Sequence, residues 1–446
     1  MVRSLVPRLA LVALVSIGAC VLADLDLEGR PCPCADGYTC DEAANVCKKT
    51  SSTATTGGST SSATGAAGGA GASTGAAGGA GPGAGGGPPV GDDAVPLVAT
   101  GGETSGLLTL SVADAFRLES DESHNWQLGR WFDTRVDPLT NLAGTSPPAY
   151  ADALIDTMQT LDAMFRWCGS AQGTLAEITM HDQTPARFGL QVALDYPLPG
   201  LRVSARYWIY ASGKVSIAAR IENTSATTLD LLDSEYHYVS VEPSLDWSTT
   251  TIDSSHAAAF VRIDGPAPAS TLQIVSLGTE LPAQSDAQEW NRYWQLGAVS
   301  LEPADAIERY GALMVFPGGM NLDAMTERSQ DLRTPKLFAG PGAMAVGTGF
   351  SEEMASYTVA ATGTSVEFGV EADRTRFAPS FVIEGWTAPA WTLRRGSSVL
   401  LAHDDLIGPG ALAWHDPRSG QLVFVHVDDI PMGAPLEERT FVLEAQ

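Results

Sequence analysis

Two stretches of this 446-residue chain bring together side chains able to do chemistry. In "DLLDSEYHYVSVE", residues 230–242, strand-like alternation puts Asp233, Glu235 and His237 on one face and Tyr236 and Tyr238 on the other. A carboxylate beside an imidazole sets its tautomer and makes it a base, and a phenol can supply the proton in an elimination. Glu235, Tyr236, His237 and Tyr238 are therefore the candidate catalytic group. A hydrogen-bonded polar patch on a strand has the same composition, since tyrosine is common there.

The second stretch is "GLRVSARYWIYASGKVSIAARIENTS", residues 200–225. Val203, Ala205, Tyr207 and Ile209 alternate with Arg202, Ser204, Arg206, Trp208 and Tyr210. After the turn, Val215, Ile217, Ala219 and Ile221 alternate with Ser216, Ala218, Arg220 and Glu222. One face is aliphatic and suits packing on a second sheet. The other carries Arg206, Trp208, Tyr210 and Arg220, the candidate ligand contacts: guanidinium forks grip carboxylate or sulfate while flat rings stack on sugars. A face that is merely solvated, or covered by another sheet, reads identically.

Four histidines lie next to or near aspartate, in "MHDQ", "AHDDL", "WHDP" and "HVDDIP" (His181, His403, His415 and His426). Imidazole with carboxylate can bind a transition metal. These segments fall at strand ends and turns, where aspartate bonds to backbone, and no HExxH or EF-hand spacing occurs. No metal and no cofactor is predicted. GxxxxGK[ST] does not occur, and the one GxSxG, Gly71–Gly75, lies in the Gly/Ala-rich stretch rather than between a strand and a helix, which argues against phosphate-loop nucleotide use and serine-hydrolase chemistry.

Charge excludes a further class. Lys plus Arg number 26 against 52 Asp plus Glu, a net charge of −26. A nucleic-acid partner needs a basic footprint, so none is expected. Of the acids, 44 lie beyond residue 98 with 21 of the bases, so the acidity belongs to the C-terminal body.

The elements that must position these residues are legible in outline. "MVRSLVPR" before "LALVALVSIGA" is an export-signal pattern, residues 1–19. Ile17-Gly18-Ala19-Cys20 resembles a bacterial lipobox, which would make Cys20 a lipid-bearing N-terminus and the lipid the only membrane contact. Val21-Leu22-Ala23 offers an ordinary cleavage site instead. Cys32, Cys34, Cys40 and Cys47 have the spacing C-x-C-x5-C-x6-C and lie where thiols oxidise, so two disulfides are expected within residues 20–48, with three pairings open. Cys168 reads as a buried inert thiol. Residues 49–98 are almost wholly Gly, Ala, Ser and Thr, a linker whose end-to-end distance is on the order of 40 Å.

From residue 100 the pattern is mainly β. Strands are expected at 107–112, 126–132, 174–181, 187–195, 236–242, 257–263, 311–316 and 357–370, besides the hairpin. Helical patterns start at Tyr150, at Glu302 ("EPADAIERYGAL") and in "NLDAMTERSQDL", which Asn321 could cap. After "DRTRFAP", closely spaced apolar runs predict a small β-sandwich over 377–446, or the closing strands of a larger one, leaving 99–376 as the larger unit.

"WQLGRWFDTRVDPLTNLAG" followed by "YWIYASGKVSIAARIENTS" resembles the β-supersandwich of galactose-mutarotase-like, polysaccharide-acting proteins. The likeness lies in a Gly-Arg-aromatic opening, an Asp-Pro then Asn-Leu turn, and a tyrosine-turn-Gly-Lys hairpin ending in Asn-Thr. It implies a supersandwich over about residues 104–375 and a polysaccharide partner. That family contains lyases, epimerases and non-catalytic modules, so the fold selects no activity. The expectation is a tethered, exported β-sandwich lipoprotein that binds or acts on carbohydrate. Its alternatives are a polysaccharide lyase and a structural or adhesive surface protein.

Overall fold

The computed structural model describes residues 38–41, 46–49, 93–122, 125–126, 128–137, 151–152, 174–196, 200–231, 237–241, 248–253, 260–264, 270–278, 292–295, 299–317 and 322–446. The chain divides into two compact units, Met1–Gly83 and Ala84–Gln446. In the first, strands Tyr38–Asp41 and Val46–Lys49 pair antiparallel, with Cys40 directly opposite Cys47. Cys20, Cys32, Cys34, most of the 49–98 linker and Cys168 lie outside the described residues.

The second unit is mainly β. Strands Val98–Gly102, Leu107–Val112, Phe116–Asp121 and Leu128–Asp133 form a four-stranded antiparallel meander. It faces an eight-stranded sheet ordered Ser248–Asp253, Phe260–Asp264, Ser270–Leu277, Ala306–Pro317, Val215–Asn223, Leu201–Tyr210, Arg187–Tyr196, Thr174–His181. Period-2 alternation explains the packing: Leu108, Leu110, Leu118 and Trp131 from the small sheet meet Leu190, Val192, Val203, Tyr207 and Ile217 from the large one in one buried core. Asp133, at the end of the small sheet, adds a polar tie. Its carboxylate accepts from the Arg135 guanidinium and, at 2.8 Å, from the Ser270 hydroxyl of the large sheet.

The segment from Glu302, expected to be helical, is instead a turn leading into the strand Ala306–Pro317. Its pattern "AIERYGALMVF" fits both periods, and position decides. The strand is hydrogen-bonded on both sides, to Val215–Asn223 and Ser270–Leu277, and a helix would leave both edges unpaired. The third helical pattern does form a helix, Leu322–Arg333, although Asn321 lies outside the described residues. Of the pattern at Tyr150, only Ala151–Asp152 is described, as a short strand.

The C-terminal sandwich begins at Leu337, so the expected boundary near 377 falls inside it. Ser356–Ala361 pairs parallel with Ser380–Glu384, and Ser365–Val370 pairs antiparallel with Thr440–Ala445. Alternation in "SYTVAATGTSVEFGV" identifies strands and faces but not partners, which is why composition misplaces the boundary. The two sheets, of five and six strands, close on a core where Phe368, Phe381, Phe424 and Phe441 lie within 4.8–6.2 Å of one another, ring centre to ring centre.

Candidate functional site

The outer face of the large sheet, away from the small one, changes character along its strands. Register places Asp195, Arg202 and Glu222 in one row, Ala193, Ser204, Arg220 and Glu308 in the next, then Gln191, Arg206, Ala218 and Tyr310, then Gly189, Trp208, Ser216 and Ala312. The first three rows carry the charged residues. From the fourth row onward the face is buried.

Residues 351–356, the connection between two strands of the C-terminal sandwich, lie across this buried half. Three consecutive carbonyls of that segment each accept from the hairpin: Glu353 from the Ser216 hydroxyl at 2.6 Å, Met354 from the Tyr210 phenol at 2.6 Å and Ala355 from the Lys214 ammonium at 2.6 Å. The hairpin turn supplies two of these donors, because Gly213, at φ +84°, closes it tightly between Tyr210 and Lys214. Beside them Arg187, itself buried, pairs with Asp182, reaches Gln421 of the C-terminal sandwich at 3.3 Å and lies 4.3 Å above the Trp208 ring. Opposite Trp208, a Cβ on Gly189 would come within 2.6 Å of the indole, so only glycine lets that ring lie against the sheet. Further across, Val275, Ala312, Met314 and Phe316 are covered by Met325 and Leu332 of the helix.

Lys214 and Ser380 form a pair with the chemistry of a general base and a nucleophile. Nζ is 2.7 Å from the hydroxyl, and burial pulls the ammonium down to about 7, with Asp331 opposing that fall. Only 5% of Lys214 and 1% of Ser380 are exposed, so no substrate reaches them and the pair is part of the joint.

The open half is a polar shelf with Glu353 at its border. Arg202 closes a two-pronged pair with Asp195, at 2.7 and 3.0 Å, which holds that carboxyl below its ordinary range. Arg206 joins Glu353 of the covering segment and donates to Gln191 Oε1 at 2.8 and 3.1 Å. Arg220 lies between Glu222, at 3.3 Å, and Glu308, at 3.6 Å. Tyr310, partly exposed, donates to Glu308 Oε2 at 2.6 Å; burial and that carboxylate raise its phenol well above the ordinary value, so the proton stays on. Glu177 stands exposed at the shelf's edge, opposite Ala193.

The candidate ligand contacts thus separate. Arg206 and Arg220 stand on the shelf, with 39% and 48% of their side chains exposed. Trp208, 8% exposed, and Tyr210, 0% exposed, lie under the covering segment. Of the candidate catalytic group, Glu235 and Tyr236 lie outside the described residues. His237 and Tyr238 belong to the strand His237–Val241, whose side chains lie outside the description as well. His415 accepts from the Trp391 indole at 3.2 Å and bonds the Trp386 carbonyl at 2.9 Å, and His426 is buried between Arg395 and the Asp428 carbonyl. Among the described residues no three His, Cys, Asp or Glu side chains are grouped to hold a metal.

Asp195, Gln191, Glu308, Tyr310 and Glu353 complete the shelf and are not singled out by sequence patterning. Glu308 and Tyr310 sit in a segment that reads as helical. Glu353 lies 147 residues from Arg206 in a connection without periodicity. Asp195 and Gln191 had a signal, since they alternate in a strand preceding the hairpin.

No family model and no curated protein matches the chain. Among solved structures, the galactosidase domain of an α-galactosidase–sucrose kinase is similar over 53% of this chain and 44% of its own, at 8% identity and a TM-score of 0.36. An α-galactosidase from Lactobacillus brevis is similar over 51% of this chain and 42% of its own, at 12% identity and a TM-score of 0.35. Galactose 1-epimerase from Lactobacillus acidophilus is covered over 98% of its length by 50% of this chain, at 9% identity and a TM-score of 0.29. The chain spans less than half the length of the two galactosidase chains.

Proposed function

We propose that this chain is an exported, tethered carbohydrate-binding protein whose shelf takes a neutral, hydroxyl-rich glycan. One observation carries the reading: a solvent-open row of guanidinium–carboxylate pairs, bordered by Glu353 and the partly exposed Tyr310. Paired carboxylate lone pairs and the guanidinium hydrogens left over match the acceptor and donor of adjacent sugar hydroxyls, and the phenol ring offers a flat edge.

Charge favours a neutral ligand over an acidic one. Arg202, Arg206 and Arg220 face Glu177, Asp195, Glu222, Glu308 and Glu353, so the shelf keeps surplus negative charge. A uronate or sulfate would have to displace a protein carboxylate from each fork. The same arithmetic weighs against lyase chemistry on this shelf, which needs a free cation to neutralise the uronate.

The resemblance of Ile17–Cys20 to a lipobox and the Gly/Ala-rich composition of residues 49–98 support the tether: a chain of that composition and length has an end-to-end distance of roughly 40 Å, which would set the reach of a lipid-anchored body. Glycan-array binding by the full chain in detergent, repeated with Arg206→Ala and Tyr310→Ala, tests the reading. Binding to neutral glycans that both substitutions weaken at least about tenfold is expected. Absence of binding to every neutral glycan, or binding indifferent to both substitutions, rejects it.

A further inference from the structure

The first unit contains one described pair of strands, and its register bears on the four clustered cysteines. Tyr38 faces Lys49, Thr39 faces Lys48, Cys40 faces Cys47 and Asp41 faces Val46. Directly opposed residues of an antiparallel pair have Cα atoms about 4.5 or 5.5 Å apart. A disulfide spans Cα atoms about 4.4–6.8 Å apart, so either kind of opposed site admits one. Opposed residues also point to the same side of a sheet.

We infer that Cys40 and Cys47 are joined by a disulfide that staples this hairpin. Of the three pairings open to Cys32, Cys34, Cys40 and Cys47, only one contains that bond. A two-stranded hairpin is at best marginally stable in water, and here, among the described residues, the sheet consists of four residue pairs. A covalent link across its third pair holds a register that hydrogen bonds alone leave weak. In sequence the staple falls between Cys20 and the Gly/Ala-rich residues 49–98.

The bond forms by thiol–disulfide exchange with an oxidised dithiol protein of the export compartment. The Cys40 and Cys47 thiols give up two protons and two electrons and become one S–S bond. The oxidant's disulfide takes them up and becomes two thiols.

The test is peptide mapping of the full chain, isolated from an oxidising compartment, alkylated without reduction and cleaved at acidic residues so that Asp41 and Glu42 separate the two cysteines. The expected product is a peptide pair linked through Cys40 and Cys47 that separates on reduction. Cys40 or Cys47 alkylated as a free thiol, or either joined to Cys32, Cys34 or Cys168, overturns the assignment. In the Cys40→Ser variant the thiol released should be that of Cys47; release at Cys32 or Cys34 instead also overturns it.

Discussion

The Tyr210 phenol donates to the main-chain carbonyl of Met354 at 2.6 Å, across 144 residues of sequence. That bond joins the hairpin of the large sheet to a connection between two strands of the C-terminal sandwich. It also decides what the hairpin's outer face is for. The aromatic half binds this chain's own backbone, and the charged half stays open.

Removing only that hydroxyl should be costly. In Tyr210→Phe the ring still fills its place while the part-buried Met354 carbonyl loses its donor, at a cost of about 1–3 kcal/mol. Denaturant unfolding monitored by tryptophan fluorescence should show the loss with glycan affinity unchanged for the folded fraction. A midpoint within error of the parent would mean the carbonyl finds water.

Arg206 and Trp208 are two positions apart on one strand and should behave in opposite ways. Trp208→Ala empties a buried site beside Arg187 and should cost about 3–5 kcal/mol. Arg206→Ala removes a part-exposed ion pair worth about 0–1 kcal/mol, and so should leave stability nearly intact while weakening glycan binding. Thermal melting and a binding isotherm on both variants check the division; a large stability loss in Arg206→Ala would place it in the joint instead.

Lys214 should leave a mark on the alkaline side. Its folded value, about 7, lies below the ordinary 10.5 because burial disfavours the ammonium. Between those values the unfolded chain holds the extra proton, so raising the pH releases it from the unfolded state and favours folding. Stability contributed at this site should therefore rise between pH 7 and 9.5, below the range in which tyrosines ionise. Comparing the pH slopes of unfolding free energy for the parent and Lys214→Met checks it, since only the slope isolates the titration from the two lost hydrogen bonds. Equal slopes would count against it.

His426 should act on the acid side. Burial, with Arg395 beside it, brings the imidazole down to about 4 against an ordinary 6.5, while its bond to the Asp428 carbonyl works the other way. Between those values the unfolded chain takes the proton and the folded one does not, so stability at this site falls as the pH drops from 6.5 to 4. The Arg395 guanidinium lies 3.1 Å from the ring, and Asp428 meets it through its main-chain carbonyl at 2.8 Å. His426→Gln should flatten that part of the stability profile in urea titrations; an unchanged slope would show that neighbouring carboxylates, not this ring, carry it.

Much of the architecture follows from local pattern. Alternation in 200–225 identifies both strands of the hairpin, their turn and the buried face carrying Val203, Tyr207 and Ile217, because side chains along a strand point to opposite sides with a period of two. The same period marks 107–112, 174–181 and 187–195, each matched by an observed strand. It fails at 302–313, where a helical spacing and a strand spacing coexist and the unpaired edges of two neighbouring strands settle the matter.

By itself, then, the sequence determined that residues 202–210 have an outward face bearing arginine, tryptophan and tyrosine. The tertiary structure alone decided that Trp208 and Tyr210 are covered and that Arg206 and Arg220 are open. The residues responsible, Glu353, Met354 and Ala355, lie more than 130 positions further along a connection whose backbone carbonyls do the binding. Every residue carries such a carbonyl, so no side-chain pattern could announce which three would be used.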